Sequence, residues 1–216
     1  MTGYDKPKLQ LAIDVTDTES AIHVVEAVYP FFDIAEIGTP LIIEEGLAPL
    51  ESLKAKYPDK TYLADTKIAD AGLIEGSSAF RRGADIVTVL GVADNRTIAG
   101  VLEAASACNG AVMVDLLHVP NQIERGKELE ALGVQIICLH TAYDTQQSGI
   151  DPMAELMQMR SAVACPLAIA GGLKLEDVER AISLGANILA FGGGIVAQTE
   201  PRVAARRIIE KIEELS

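Results

Sequence analysis

Thr61-Tyr62-Leu63-Ala64-Asp65-Thr66-Lys67-Ile68-Ala69-Asp70 opens a segment that closes on Gly83-Ala84-Asp85-Ile86-Val87-Thr88-Val89-Leu90. The apolar, β-branched runs at either end predict strands over Thr61–Asp65 and Asp85–Leu90. Between them Leu73–Arg82 carries apolar residues at helical period. Gly83 falls just past that helix, where a left-handed residue commonly ends one, and an apolar strand follows at once. The runs are continuous rather than alternating, as expected of parallel strands covered on both faces. This is one strand–helix–strand unit.

The same unit recurs on both sides of it. Further strands are predicted over Leu9–Asp14, Asp33–Ile37, Ala111–Asp115, Gln135–His140, Leu167–Ala170 and Ile188–Phe191. Further helices are predicted over Thr18–Val28, Glu44–Lys56, Arg96–Ala107, Ile123–Leu132, Met153–Val163, Leu175–Leu184 and Pro201–Leu215. Gly133-Val134 and Gly185-Ala186 repeat the Gly83-Ala84 connection, Thr16 or Asp17 suits the first N-cap, and Pro201 suits a first helical turn. Eight strands alternating with eight helices predict a single-domain (β/α)₈ TIM barrel over residues 1–216, a doubly wound open sheet being the alternative.

Composition narrows the function classes. The chain has 216 residues, 31 acidic against 18 basic, and a net charge of −13. With no basic stripe, nucleic acid and anionic membrane surfaces are not expected partners. Cys108, Cys138 and Cys165 have no metal-ligand spacing and suggest no disulfide framework, and Cys138 reads as a small buried hydrophobe. The N-terminus lacks a secretory core and no apolar run reaches bilayer length, so a cytoplasmic protein is expected.

In a (β/α)₈ barrel the active site lies at the C-terminal ends of the strands. Ionisable residues end most of these strands: Asp14, Glu36, Asp65 with Lys67, Asp115 and His140. Alternation along a strand puts Asp65 and Lys67 on one face, with Asp70 in the loop beyond. Carboxylates beside Lys67 keep it charged and can hold a metal or position a proton; a buried salt bridge is the structural alternative. Glu36 and Asp65 end adjacent strands and suit Mg²⁺, with Mn²⁺ not distinguishable from it. Gly171-Gly172 and Gly193-Gly194 follow strands seven and eight, where such barrels bind phosphate with backbone N–H groups. His140 suits proton transfer near neutral pH. His118 and His23 read as structural.

The Asp65-x-Lys67-x-x-Asp70 motif, with Asp14 on the first strand, resembles the orotidine-monophosphate decarboxylase superfamily. The nearer likeness is to its metal-dependent branch, the hexulose-phosphate synthases and the keto-gulonate-phosphate decarboxylases. It extends through Leu9–Asp14, Glu36-Ile37-Gly38-Thr39-Pro40, Ala84–Gly91 and Ala170-Gly171-Gly172. Asp115 and Gly193 stand where the decarboxylases carry Glu and Arg, and Tyr143 where they carry another Arg. Thr66, Ile68 and Ala69 resemble the decarboxylase form instead, and the balance falls to the synthases. The resemblance implies a lyase joining formaldehyde to the sugar phosphate D-ribulose 5-phosphate through a metal-stabilised 1,2-enediolate. It implies Lys67, Asp70, His140 and Asp14 as catalytic and Asp14 and Asp115 on the substrate. It also implies Glu36 and Asp65 on the metal, and a homodimer in which Asp70 reaches the neighbouring site. Decarboxylation of 3-keto-L-gulonate 6-phosphate and a ribulose-phosphate 3-epimerase-like isomerisation are the rival reactions.

Overall fold

The computed structural model describes residues 6–148 and 152–216. Its eight parallel strands close into a barrel in chain order, each paired with its sequence neighbours and β8 with β1. The strands are β1 Lys8–Ile13, β2 Ile34–Ile37, β3 Thr61–Ile68, β4 Ile86–Leu90, β5 Ala111–Asp115, β6 Ile136–His140, β7 Leu167–Ala170 and β8 Ile188–Phe191. The ring outside consists of α1 Thr18–Val28, α2 Thr39–Glu45, α3 Ala48–Lys56, α4 Gly72–Arg81, α5 Asn95–Cys108, α6 Gln122–Ala131, α7 Pro152–Ala162, α8 Val178–Ser183, α9 Gly193–Val196 and α10 Pro201–Glu214. Asp17 caps α1 by accepting the Ser20 N–H at 2.7 Å. Gly83, Gly133 and Gly185 take the left-handed conformation expected after a helix.

Three expectations change. The helix expected over Glu44–Lys56 is two, α2 and α3, because Gly46 leaves helical geometry at φ 64° and Pro49 opens a new first turn. The helix expected over Leu175–Leu184 begins as a 3₁₀ turn, Leu175–Asp177. The third strand runs on to Ile68 rather than stopping at Asp65, with its register to β4 shifting between Ala64 and Ile68.

Strand register sorts the barrel interior into layers drawn alternately from even and odd strands. Ile34, Ile86, Ile136 and Ile188 make the lowest layer, and Gln10, Leu63, Met113 and Ala168 the next. Two residues further along each strand come Glu36, Thr88, Cys138 and Ala190, then Ala12, Asp65, Asp115 and Ala170. Apart from Gln10, the two lower layers belong to one buried apolar cluster. Gln10 aside, the polar side chains of these four layers lie toward the end where the strands finish. Cys138 is buried, and burial pushes its thiol well above the ordinary range, in keeping with a core role.

Candidate active site at the C-terminal rim

Lys67 reaches Asp65 by a route that strand alternation does not describe. Its backbone is left-handed, at φ 47°, inside the stretch where β3 and β4 lose register. Thr88 on β4 supports this irregularity. Its hydroxyl accepts the Lys67 N–H at 2.9 Å and donates to Asp65 Oδ1 at 2.9 Å, while Thr66 Oγ1 donates to the Thr88 carbonyl. The turned chain sends Lys67 Nζ onto Asp65 Oδ2 and within 3.8 Å of Asp115 Oδ2. Thr39, at the start of α2, donates to Asp65 Oδ2 at 2.8 Å and accepts from Lys67 Nζ at 3.2 Å. Burial pulls the Lys67 pKa down, but Asp65 first, then Asp115 and Glu36, outweigh it and leave it raised. The ammonium stays charged.

Asp115 serves two partners. Its Oδ2 lies 2.8 Å from His140 Nδ1, and its Oδ1 accepts the Leu117 N–H at 2.8 Å. Burial raises its carboxyl, yet the hydrogen bond and charge of His140 and the charge of Lys67 bring it below its usual value. With Nδ1 facing a carboxylate, Nε2 is the ring nitrogen left for other contacts. Glu36 differs: burial, then the nearby Asp65 charge, push its pKa up to about 8, and its partner is Gln10, whose Nε2 donates to Glu36 Oε2 at 2.6 Å. Asp14 is raised by loss of hydration and by Asp65. It lies against Gly38, where a Cβ would run into Asp14 Oδ1.

The opposite side of the rim carries almost no side chains. Gly171 and Gly172 take φ 98° and 73°, and a Cβ on Gly171 would overlap the Thr141 carbonyl. Glycine is required there. Gly194 is held bare by the Leu173 carbonyl, 2.7 Å from where its Cβ would be. Gly193 is different, since its nearest neighbour would be Ala197 Cβ at 4.0 Å. It leaves open space rather than satisfying a backbone need. Gly193 and Gly194 also start the short helix α9, so their N–H groups lack intrahelical acceptors and suit an anion.

The structure thus gathers Glu36, Asp65, Lys67, Asp115 and His140 into one network, with Asp14 beside it. Asp70 is not in it. The second carboxylate near Lys67 within the chain is Asp115, and Asp70 follows Ile68, which is in register with Val89 of β4. Asp70 is left exposed, accepting the Ala71 N–H at 2.7 Å. Thr88, Thr39 and Gln10 also belong to this site, without a strong signal along the chain. A threonine in Ile-Val-Thr-Val-Leu reads as an ordinary β former, but Gln10 within Lys8-Leu9-Gln10-Leu11-Ala12-Ile13 was a visible break in an apolar strand. Among the described residues no group of three or more His, Cys, Asp or Glu forms a metal cage, and no helix is long and apolar enough to cross a membrane.

The chain resembles several known proteins along nearly its whole length. A Bacillus subtilis (strain 168) protein named 3-hexulose-6-phosphate synthase is 39% identical over 206 residues, 95% of this chain and 98% of that one. The crystal structure of 3-hexulose-6-phosphate synthase from Salmonella typhimurium superposes with a TM-score of 0.94 at 35% identity, covering 97% of this chain and 100% of that one. A crystal structure of 3-keto-L-gulonate-6-phosphate decarboxylase from Vibrio cholerae gives a TM-score of 0.88 at 26% identity, covering 98% and 99%. Residues 7–208 match the model of one family, and the chain belongs to it: the orotidine 5'-phosphate decarboxylase / HUMPS family.

Proposed function

We propose that this chain is a metal-dependent aldehyde-lyase with 3-hexulose-6-phosphate synthase activity, joining formaldehyde to D-ribulose 5-phosphate to give D-arabino-3-hexulose 6-phosphate. The observation that carries this reading is Asp115 Oδ2, 2.8 Å from His140 Nδ1 and 3.8 Å from Lys67 Nζ. One carboxylate oxygen holds a proton carrier and a cation side by side, and an aldol joining needs both. Loss of the C1 proton of the sugar sends negative charge to the C2 oxygen. C1 then bonds to the formaldehyde carbon, and the formaldehyde oxygen takes up a proton. Lys67 faces the developing oxyanion. His140, oriented through Nδ1, carries a proton on Nε2. Asp14 and Asp115 hold sugar hydroxyls, and Gly171, Gly172, Gly193 and Gly194 hold the phosphate.

The donor set fits a hard divalent cation. Glu36 and Asp65 lie on paired strands, and Gln10 Oε1 is a buried oxygen without a donor. Glu36 and Asp65 would hold Mg²⁺ or Mn²⁺, which when bound supplies Lewis-acid polarisation of the sugar carbonyl. The greater identity to the proteins named synthase, and the Asp at 115 with open space at 193, favour formaldehyde over carbon dioxide as the one-carbon partner. A homodimer completes the proposal. Asp70 is exposed beside Leu73 and Ile74, themselves 44% and 72% exposed at the start of α4, a surface suited to a second copy.

Formaldehyde consumption with ribulose 5-phosphate, run beside carbon dioxide release from 3-keto-L-gulonate 6-phosphate, tests the reaction. Formaldehyde loss that is much the faster and stops with EDTA is the expected result. Dominant carbon dioxide release overturns the choice of reaction, and full activity in EDTA overturns the metal. A monomer by sedimentation at assay concentration removes the dimer.

A further inference from the structure

Gln10 stands where the barrel otherwise places an apolar side chain. Its counterparts in the same layer on the other odd strands are Leu63, Met113 and Ala168, all buried. Gln10 is itself 2% exposed. Its Nε2 donates to Glu36 Oε2 at 2.6 Å, and its Oε1 is buried with no donor. A stranded amide oxygen in a core destabilises a fold relative to an apolar side chain of similar size, so packing alone does not account for this residue.

The two proposed metal ligands show what it does. Asp65 is pinned by Thr39, Thr88 and Lys67. Among the described residues, Glu36 has one side-chain hydrogen bond, from Gln10. Without that amide the Glu36 carboxylate would be free to rotate within the barrel mouth, next to a ligand that cannot move.

We infer that Gln10 is a positioning residue that aims the Glu36 carboxylate at a divalent cation and is kept there at the expense of fold stability. This rests on the metal reading above. Groups that orient metal ligands typically change metal affinity about 10–100-fold when removed.

The test is Gln10→Met, which copies Met113 in the same layer. Thermal melts of the metal-free protein and a Mn²⁺ titration followed by electron paramagnetic resonance are the two readouts. The expected result is a melting temperature equal to or above wild type, with a Mn²⁺ dissociation constant about tenfold or more higher. The Mn²⁺ concentration for half-maximal activity should rise by the same factor. Unchanged Mn²⁺ affinity beside a wild type that binds Mn²⁺ overturns the inference and leaves the metal reading standing. Absence of Mn²⁺ binding by the wild type overturns both. Should Gln10→Met fail to fold, Gln10→Leu, which copies Leu63, is read in the same way. Failure of both to fold makes Gln10 a core requirement and also overturns the inference.

Discussion

At the N-terminal end of the barrel Asp33, Asp85, Gln135 and Asn187 each accept one backbone N–H from the strand before: those of Leu9, Tyr62, Val112 and Leu167, at 2.8–2.9 Å. At the C-terminal end Asp14, Glu36, Asp65 and Asp115 crowd around one ammonium and one imidazole. The residue types are similar and the outcomes opposite. Each lower group immediately precedes an even-numbered strand, one for every pair of strands, and satisfies an N–H that would otherwise end a ladder unpaired. Asp33 and Asp85 also find Lys8 and Lys54 as partners. Among the upper groups, burial first and then the Asp65 charge raise Asp14 and Glu36, and an amide oxygen is left stranded. Residues that serve stability find complementary partners and no conflict. Residues arranged for chemistry share partners and keep unmet needs that a ligand can fill.

The sharpest way to break this contrast is at Lys67. Lys67→Met should lower kcat/KM about 10²–10³-fold, the usual cost of losing a group that stabilises an oxyanion. A loss below tenfold in a folded variant would remove the ammonium from the reacting oxygen. At the other end Asp85→Ala should leave kcat unchanged and cost about 1–3 kcal/mol, because the Tyr62 N–H loses its acceptor. The Lys54 ion pair adds little, since both partners are about a third or more exposed. Denaturant unfolding beside steady-state kinetics separates the two, and a fall in kcat would show that the ends are not independent.

Within the upper rim, Gly171→Ala and Gly193→Ala sharpen the comparison further. Gly171→Ala should cost about 1–3 kcal/mol, from left-handed strain and overlap with Thr141. Gly193→Ala has room and should stay within about 0.5 kcal/mol. Equal melting temperatures for the two would refute the distinction between a glycine the backbone needs and one that keeps space open.

A further test of the contrast is a pH dependence. Glu36 is raised from an ordinary 4.5 to about 8 in the folded protein, so the native state holds a proton that the unfolded chain releases. Its contribution to stability is full below about 4.5 and is lost as pH rises toward 8. Asp115, lowered in the fold, acts in the opposite direction and in another window, its contribution being lost as pH falls below about 4. Metal-free protein should therefore lose melting temperature between pH 5 and pH 8. Glu36→Gln should flatten that slope, and Asp33→Asn, at the other end, should not. An unchanged slope in Glu36→Gln would place the proton elsewhere.

Much of this molecule was legible along the chain. Strand and helix periods, the Gly83-Ala84 type of connection and the charged ends of strands are local signals, and together they led to the barrel, its active end and most of the rim residues. What stayed hidden depended on neighbours distant in sequence. The left-handed Lys67 is held by a hydroxyl 21 residues away on β4, so strand alternation led to the right pairing with Asp65 for an incomplete reason. Asp115 comes within 3.8 Å of Lys67 Nζ from β5, a contact that neither strand encodes alone. Gln10 interrupts an apolar strand, and its partner is set only by closure, which puts it one layer below Glu36. The sequence by itself determined which segments are strands and which end of each carries charge, because periodicity and strand ends are written in consecutive residues. Only the closed barrel decided which of those charges share a proton or a cation, because pair energies fall off over a few ångströms and those distances exist only after the strands are in register.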